Sequence, residues 1–116
     1  MPSPSLVPDQ CAIDITYLRR MTLGDAALER EVLGMFRGQT RGLIRQLATT
    51  PANAAELAHT LKGSARAIGA FDVGEAACAL EKALLGKSDV SAAFQRLKEA
   101  VNEAFDAIDV VLGEHN

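Results

Sequence analysis

The stretch VSAAFQRLKEAVNEAFDAIDVV, residues 90–111, carries the clearest periodicity in the sequence. Its apolar residues recur at alternating steps of four and three, which is the spacing of one face of an α-helix. They are Val90, Phe94, Leu97, Val101, Ala104, Ile108 and Val111. Ser88 or Asp89 precedes the stretch at a position suited to an N-cap. The stretch therefore predicts a long amphipathic helix, which must bury its apolar face against other helices.

The composition supports the same fold class. The chain has 116 residues, of which 48% are hydrophobic but only 4% aromatic. A chain of this length forms one ordinary domain, and its many Ala and Leu residues favour helix over strand. The net charge is −3 and the cations are scattered among acids, which argues against a nucleic-acid partner. Cys11 and Cys78 stand far apart without metal-ligand spacing, so we expect free thiols and no bound metal.

The N-terminal half predicts an arm and two helices. Residues 1–10 contain three of the four prolines and are expected to form a flexible arm. Asp14 can cap a short helix, and Asp25 can cap a long one that continues to about Ala48. The apolar face of the long helix is predicted to consist of Leu28, Val32, Phe36, Leu43 and Leu47.

The middle of the chain predicts two more helices. Thr50 is suited to cap a helix over residues 52–68, and Gly69 suits the left-handed position that ends it. Asp72 can then cap a helix over residues 73–85. Because short connections favour antiparallel neighbours, we predict that residues 11–116 form one domain. Its fold is an all-α, antiparallel, up-and-down four-helix bundle with a short extra N-terminal helix.

One histidine is predicted to point out of this bundle. Within AHTLKGSA, residues 58–65, His59 lies about 160° from Leu61 on a helical wheel, and Leu61 belongs to the buried stripe. Lys62 and Gly63 follow three and four residues later, so they share the surface of His59. A surface histidine is usually only a solvated residue, and spacing alone favours that interpretation.

The neighbours of His59 suggest a second interpretation. Gly63 carries no side chain and leaves space beside the imidazole, while Lys62 can supply a cation for a dianionic group attached to the ring. Taken singly, Lys62 is more often a solvated cation and Gly63 a point of close helix packing. Together they suggest phosphate carried on a histidine.

The segment His59-Thr-Leu-Lys62-Gly63-Ser64-Ala-Arg-Ala-Ile-Gly69-Ala70 resembles the core motif of histidine-containing phosphotransfer (HPt) domains of bacterial phosphorelays. The similarity continues through Cys78-Ala79-Leu80-Glu81 in the next predicted helix. The resemblance implies that His59 is the phosphoacceptor, Lys62 the phosphate-facing cation and Gly63 the small residue that gives access. Glu81 would reach from the next helix and orient the His59 ring. The competing interpretation of Glu81 is a surface carboxylate paired with Lys82.

The resemblance also implies the partners. We expect a monomeric cytoplasmic carrier, not an enzyme, that exchanges its phosphoryl group with response-regulator receiver domains and a sensor or hybrid histidine kinase. It would bind no cofactor itself, because Mg²⁺ is expected on the partner receiver, and it would contact neither nucleic acid nor membrane. The surface that meets the partner is predicted to include Ala55, Arg66, Ala67, Ala70, Cys78 and Lys82.

Two other functions remain open at this point. A plain helical adaptor with the same bundle would carry His59 only incidentally. An enzyme has less support, because the sequence contains no glycine-rich phosphate loop, and His115, the second histidine, stands in the C-terminal tail. Acid-labile, base-stable label on His59 would separate the carrier from the adaptor.

Overall fold

The computed structural model describes residues 12–86 and 88–113, and five helices account for most of them. They are α1 (Ile15–Met21), α2 (Ala26–Leu47), α3 (Ala54–Ala67), α4 (Phe71–Gly86) and α5 (Val90–Leu112). No strand occurs in the described ranges, so the predicted all-α class is confirmed. The arm predicted for residues 1–10, together with Cys11 and His115, lies outside the described residues.

The four long helices pack in the order in which they follow one another. α3 has its most extensive contact with α4, α4 packs on α5, and α2 closes the bundle by contacting both α3 and α5. The connections 48–53, 68–70 and 87–89 are short, so consecutive helices run antiparallel. This is the predicted up-and-down bundle. The short helix α1 is the predicted extra N-terminal element.

Small residues line the contact between α3 and α4. Ala58 and Ala65 on α3 and Ala77 on α4 have no exposed surface. At Gly74 on α4, an added Cβ would lie 3.0 Å from the Cγ of Arg66. Small side chains let two helix axes approach closely. This close contact brings polar side chains on the outer edges of α3 and α4 within reach of one another.

Three predicted aspartate caps are present. The side chain of Asp14 accepts a hydrogen bond from the Tyr17 amide at 2.9 Å, and Asp25 and Asp89 accept from amides three residues later at 3.0 Å. Each carboxylate satisfies one amide that the first helical turn leaves without a partner. The predicted starts of α1, α2 and α5 are therefore confirmed.

The predicted apolar face of α2 is wrong at its start. Leu28 is 40% exposed, and the helix buries Leu33 completely. The buried stripe also contains Glu29 and Thr40. A pattern of hydrophobic residues cannot assign a stripe that includes two polar side chains, so the first two predicted positions lie one residue away from the buried ones. Phe36, Leu43 and Leu47 are buried as predicted.

Two predicted helix starts are also wrong. Thr50 does not cap α3 but adopts a left-handed turn with φ +48°, and α3 begins only at Ala54. α4 begins at Phe71, so Asp72 lies in its first turn instead of capping it. The turn before α4 is closed by a hydrogen bond from the Ala70 amide to the Ala65 carbonyl at 2.9 Å. This tight turn lets the new helix start immediately.

Gly69 ends α3 as predicted, and it also holds α1 in place. Its φ is +88°, and its carbonyl accepts a hydrogen bond from the Asp14 amide at 2.9 Å. Beside it, the rings of Tyr17 and Phe71 meet edge to face, with 5.2 Å between centroids. The short helix is therefore fixed to the corner between α3 and α4.

We expect Gly69→Ala to lower the free energy of unfolding by about 1–3 kcal/mol. The new Cβ would lie 2.9 Å from the Asp14 carbonyl oxygen in a backbone conformation that alanine disfavours. Gly38→Ala is the matched control, because Gly38 lies in α2 with nothing within 4 Å of its added Cβ. The free energy of unfolding of that variant should rise by up to about 1 kcal/mol. Urea unfolding measures both, and equal effects would contradict the role given to Gly69.

Candidate functional site

His59 lies on α3 and points away from the bundle, as predicted. Ala54, Ala58, Leu61 and Ala65 form the buried stripe of this helix. Because that stripe faces the core, the opposite side of α3 faces solvent. The His59 side chain is 65% exposed. Its ring is therefore accessible to a large partner while its backbone is held in a rigid helix.

Glu81 approaches His59 from α4. It follows Leu80, which is 1% exposed, so Glu81 lies on the flank of α4 next to the core stripe. Its side chain is only 19% exposed, and its Oε2 atom lies 3.0 Å from Nδ1 of His59. Close packing of α3 on α4 thus brings together two residues separated by 22 positions in the sequence. The sequence prediction that Glu81 reaches the histidine agrees with this geometry.

The contact defines which nitrogen of the neutral imidazole carries the proton. An ionised carboxylate can only accept hydrogen bonds, so Nδ1 must carry the proton that Glu81 accepts. In the neutral imidazole, the other ring nitrogen, Nε2, then holds a free lone pair. The arrangement gives an exposed nucleophilic nitrogen and a carboxylate that stabilises positive charge developing on the ring.

Lys62 makes a contact that the sequence did not predict. Its Nζ donates a hydrogen bond to Oε1 of Glu81 at 2.9 Å, and its side chain is only 18% exposed. The competing interpretation of Glu81, a surface carboxylate paired with Lys82 or solvent, does not describe this side chain, because its two oxygens contact His59 and Lys62. Glu81 therefore links His59 and Lys62, one through each carboxylate oxygen. A wheel of α3 alone cannot find this link, because it depends on a residue of α4.

The hydrogen bond from Lys62 lowers the pKa of Glu81 below the usual range of a glutamate. Burial opposes this change, and the contact with His59 adds to it. The net effect keeps Glu81 ionised well into the acidic range. The carboxylate is therefore available to accept a hydrogen bond from Nδ1–H of His59 at neutral pH.

Gly63 lies on the open surface beside His59. An added Cβ would meet nothing within 4 Å, so close packing against another helix does not explain this glycine. Glycine in a helix costs up to about 1 kcal/mol relative to alanine. The structure therefore leaves open the space that a partner would have to enter to reach the imidazole.

The predicted partner surface is partly wrong. Ala70 has no exposed surface, because it lies in the tight turn between α3 and α4 and belongs to the core. The other five residues are accessible to different degrees. Arg66, Ala67 and Lys82 are exposed, and Ala55 and Cys78 are half-buried.

The sequence missed an apolar strip on the α2 side of the site. Met35 is 67% exposed and lines a shallow cavity of about 210 Å³ between α2 and α3. Val32 and Ala67 line the same cavity. The sequence feature that could have predicted this strip is the pair Val32 and Met35 on α2. The sequence does not show, however, which side of α2 lies next to α3.

The described residues contain no group of three or more His, Cys, Asp or Glu side chains arranged to hold a metal ion. Within the same ranges, no helix is both long enough and apolar enough to span a membrane.

Lys62→Met should raise the pKa of Glu81 toward that of an ordinary glutamate, because the largest cause of the lowered pKa is removed. A lowered pKa stabilises the folded state above the pKa of the unfolded chain and loses that effect as pH falls through the folded pKa. The variant should therefore lose stability mainly at neutral pH. Carboxyl NMR titration of Glu81 tests this, with Lys82→Met as control, and an unchanged Glu81 pKa in Lys62→Met would contradict it.

Comparison with known proteins agrees with this geometry. A family model described as Hpt domain matches residues 31–110, which span α3, α4 and most of α2 and α5. No curated protein and no solved structure was found to match the chain.

Proposed function

The chain belongs to the Hpt domain family, whose members relay phosphoryl groups through a histidine, and from this premise we propose that His59 is the phosphoacceptor. The observation that carries the proposal is the 3.0 Å contact between Nδ1 of His59 and Oε2 of Glu81. In the neutral imidazole, this contact leaves Nε2 unprotonated on an exposed ring. The family resemblance of the motif and this contact are independent reasons for choosing the same residue.

The proposed step is an in-line displacement at phosphorus. The Nε2 lone pair attacks the phosphorus of an aspartyl phosphate on a receiver domain, the new N–P bond forms, and the bond from phosphorus to the aspartate oxygen breaks. The aspartate leaves as a carboxylate. Nδ1 keeps its proton throughout, so the phosphorylated ring carries a positive charge opposite Glu81. The reverse sequence returns the phosphoryl group to a receiver.

Lys62 supports this step in two ways. Its ammonium has three donors, and one is used on Glu81, so the others remain for an oxygen of the phosphoryl group. Its bond to Glu81 also keeps that carboxylate ionised. A Mg²⁺ ion on the partner receiver supplies further neutralisation of the phosphoryl charge.

The partners follow from the family and the surface. Receiver domains and a sensor or hybrid histidine kinase are proposed to dock on the outer faces of α3 and α4 around His59. Ala55, Ala67 and Cys78 offer apolar contact there, and Arg66 and Lys82 add charge at the rim. The strip at Met35 extends this surface onto α2. We propose that a monomer acts as the carrier in the bacterial cytoplasm and is not an enzyme by itself.

Label transfer tests the proposal. The full chain is incubated with receivers of the source organism that have been charged with labelled phosphate, and with a kinase and labelled ATP. We expect label that is lost in acid and kept in base, with the phosphorus bonded to Nε2 as seen by ³¹P NMR. If no donor labels the chain, or if the label is stable in acid, the helical adaptor becomes the better conclusion.

Gly63→Gln should slow transfer at least about tenfold, which corresponds to a barrier higher by about 1.4 kcal/mol. The long side chain would occupy the open space that the receiver has to enter. Folding should not suffer, because glutamine is a better helix former than glycine. Gly38→Gln is the control on an open face of α2 and should transfer normally. Normal transfer rates in Gly63→Gln would remove the access role of Gly63.

A further inference from the structure

A row of arginines lies along the side of α2 that faces α5. In the four-helix bundle, this contact between α2 and α5 lies opposite the contact between α3 and α4. Its members are Arg30, Arg37, Arg41 and Arg45. The first two donate hydrogen bonds to the C-terminal part of α5. Arg30 donates to the carbonyl of Leu112 at 3.2 Å, and Arg37 pairs with Asp109 at 2.6 Å. These contacts give Arg30 and Arg37 a structural role, because both join α2 to α5.

The second half of the row has no such explanation. Arg41 stacks over the ring of Phe105, 5.4 Å from its centroid, and this contact leaves the N–H edge of the guanidinium free. Across the seam, α5 presents Lys98, whose ammonium lies over Phe94. Within the described parts of the chain, no carboxylate forms an ion pair with Arg41, Arg45 or Lys98. The charges of these three cations are therefore not neutralised by an ion pair within the described residues.

These cations surround a cavity of about 280 Å³ between α2 and α5. It is lined by Arg41, Ile44, Arg45, Lys98, Val101, Asn102 and Phe105. Val101 is 4% exposed, and Ile44 and Phe105 are half-buried, so the floor is apolar. The acids of α5 nearest to Lys98 in sequence are Glu99, Glu103 and Asp106, and they lie about 80–140° around the helix from it.

We propose that this cavity binds a small organic phosphate. Two guanidinium groups and an ammonium match a dianionic phosphate, and the amide of Asn102 can donate one more hydrogen bond. The floor formed by Ile44, Val101 and Phe105 contacts the organic part of the ligand. Concentrated positive charge in a chain of net charge −3 indicates a partner of opposite charge. The site is separate from His59, so it does not depend on the function proposed above.

Titration of the ¹⁵N-labelled full chain with phenyl phosphate, inorganic phosphate and benzoate tests the site. Phenyl phosphate should produce saturable shifts in the amides of residues 41–45 and 98–105. Benzoate carries one charge fewer and should bind at least about tenfold more weakly. Inorganic phosphate should also bind more weakly, because it has no group for the apolar floor. If phenyl phosphate bound with the same affinity as benzoate or as inorganic phosphate, the proposed ligand class would be overturned.

Variants locate the binding. Arg45→Gln combined with Lys98→Gln should weaken phenyl phosphate at least about tenfold, whereas Arg20→Gln, an exposed cation on α1, should not. Asn102→Asp gives a second test, because it adds a negative charge to an exposed edge of the cavity and should also weaken binding. Shifts that do not saturate, or that persist unchanged in both cavity variants, would overturn the site.

Discussion

A His59→Gln variant is expected to take up no acid-labile label from any receiver or kinase that labels the wild-type chain. Glutamine has no basic nitrogen, because the lone pair of its amide is delocalised into the carbonyl, so it cannot attack phosphorus. The fold should be preserved. His59 is 65% exposed, and the hydrogen bond of its side chain within the described residues is with Glu81. The free energy of unfolding should therefore change by about 0.5–1 kcal/mol at most.

The control for this variant is His115→Gln, which removes the second of the two histidines in the sequence. It should be labelled as fast as wild type. Urea unfolding of both variants separates a lost nucleophile from a lost fold. Label on a folded His59→Gln chain at the wild-type level would show that another residue accepts the phosphoryl group, and the assignment of His59 would be wrong.

The fold was predictable from the sequence where a single helix determines the outcome. Asp14, Asp25 and Asp89 cap their own helices through contacts three residues away, so local sequence contains the whole interaction. Errors occurred where tertiary contacts decide. The stripe of α2 includes the buried polar residues Glu29 and Thr40, which pack against other helices.

The site was predictable to a similar degree. The outward direction of His59 follows from the stripe of α3 alone, and the choice of Glu81 came from the family motif. The bond from Lys62 to Glu81 was not predictable, because it requires the separation and register of α3 and α4. The burial of Ala70 was missed for the same reason. Its exposure depends on how tightly the two helices are joined.

The link between Lys62 and Glu81 changes the interpretation of the motif. The lysine lies three residues after His59, and this spacing suggests that its ammonium contacts the phosphoryl group directly. Its ammonium also donates to Glu81, the carboxylate that contacts the ring. Replacing Lys62 should therefore affect His59 through Glu81 as well as through lost charge near the phosphate. Effects of Lys62 and Glu81 variants should be non-additive, since the two residues act through one carboxylate.

Glu81→Ala is expected to slow phosphoryl transfer about 100-fold without unfolding the bundle. The variant removes the acceptor for the Nδ1 proton, so the ring can rotate and can carry its proton on Nε2, which blocks attack. It also removes the carboxylate that faces positive charge on the phosphorylated ring. Single-turnover transfer from a charged receiver measures the rate, and circular dichroism checks the fold.

Glu75→Ala provides a matched control, because Glu75 is a glutamate of the same helix. Its side chain is 72% exposed and its nearest cation, Arg96, is 4.0 Å away. This variant should transfer at the wild-type rate. If Glu81→Ala and Glu75→Ala slow transfer equally, loss of surface charge explains both, and the specific role of Glu81 is wrong.

Glu81→Gln separates the two contributions of the carboxylate. The amide oxygen of glutamine can still accept a hydrogen bond from Nδ1–H, so the tautomer of His59 is kept. The negative charge opposite the phosphorylated ring is lost. The transfer rate should therefore fall between those of wild type and Glu81→Ala. A rate equal to wild type would mean that orientation alone matters, and one equal to Glu81→Ala would mean that charge alone matters. An intermediate rate requires both, because the carboxylate then selects the attacking nitrogen before transfer and stabilises the charged ring after it.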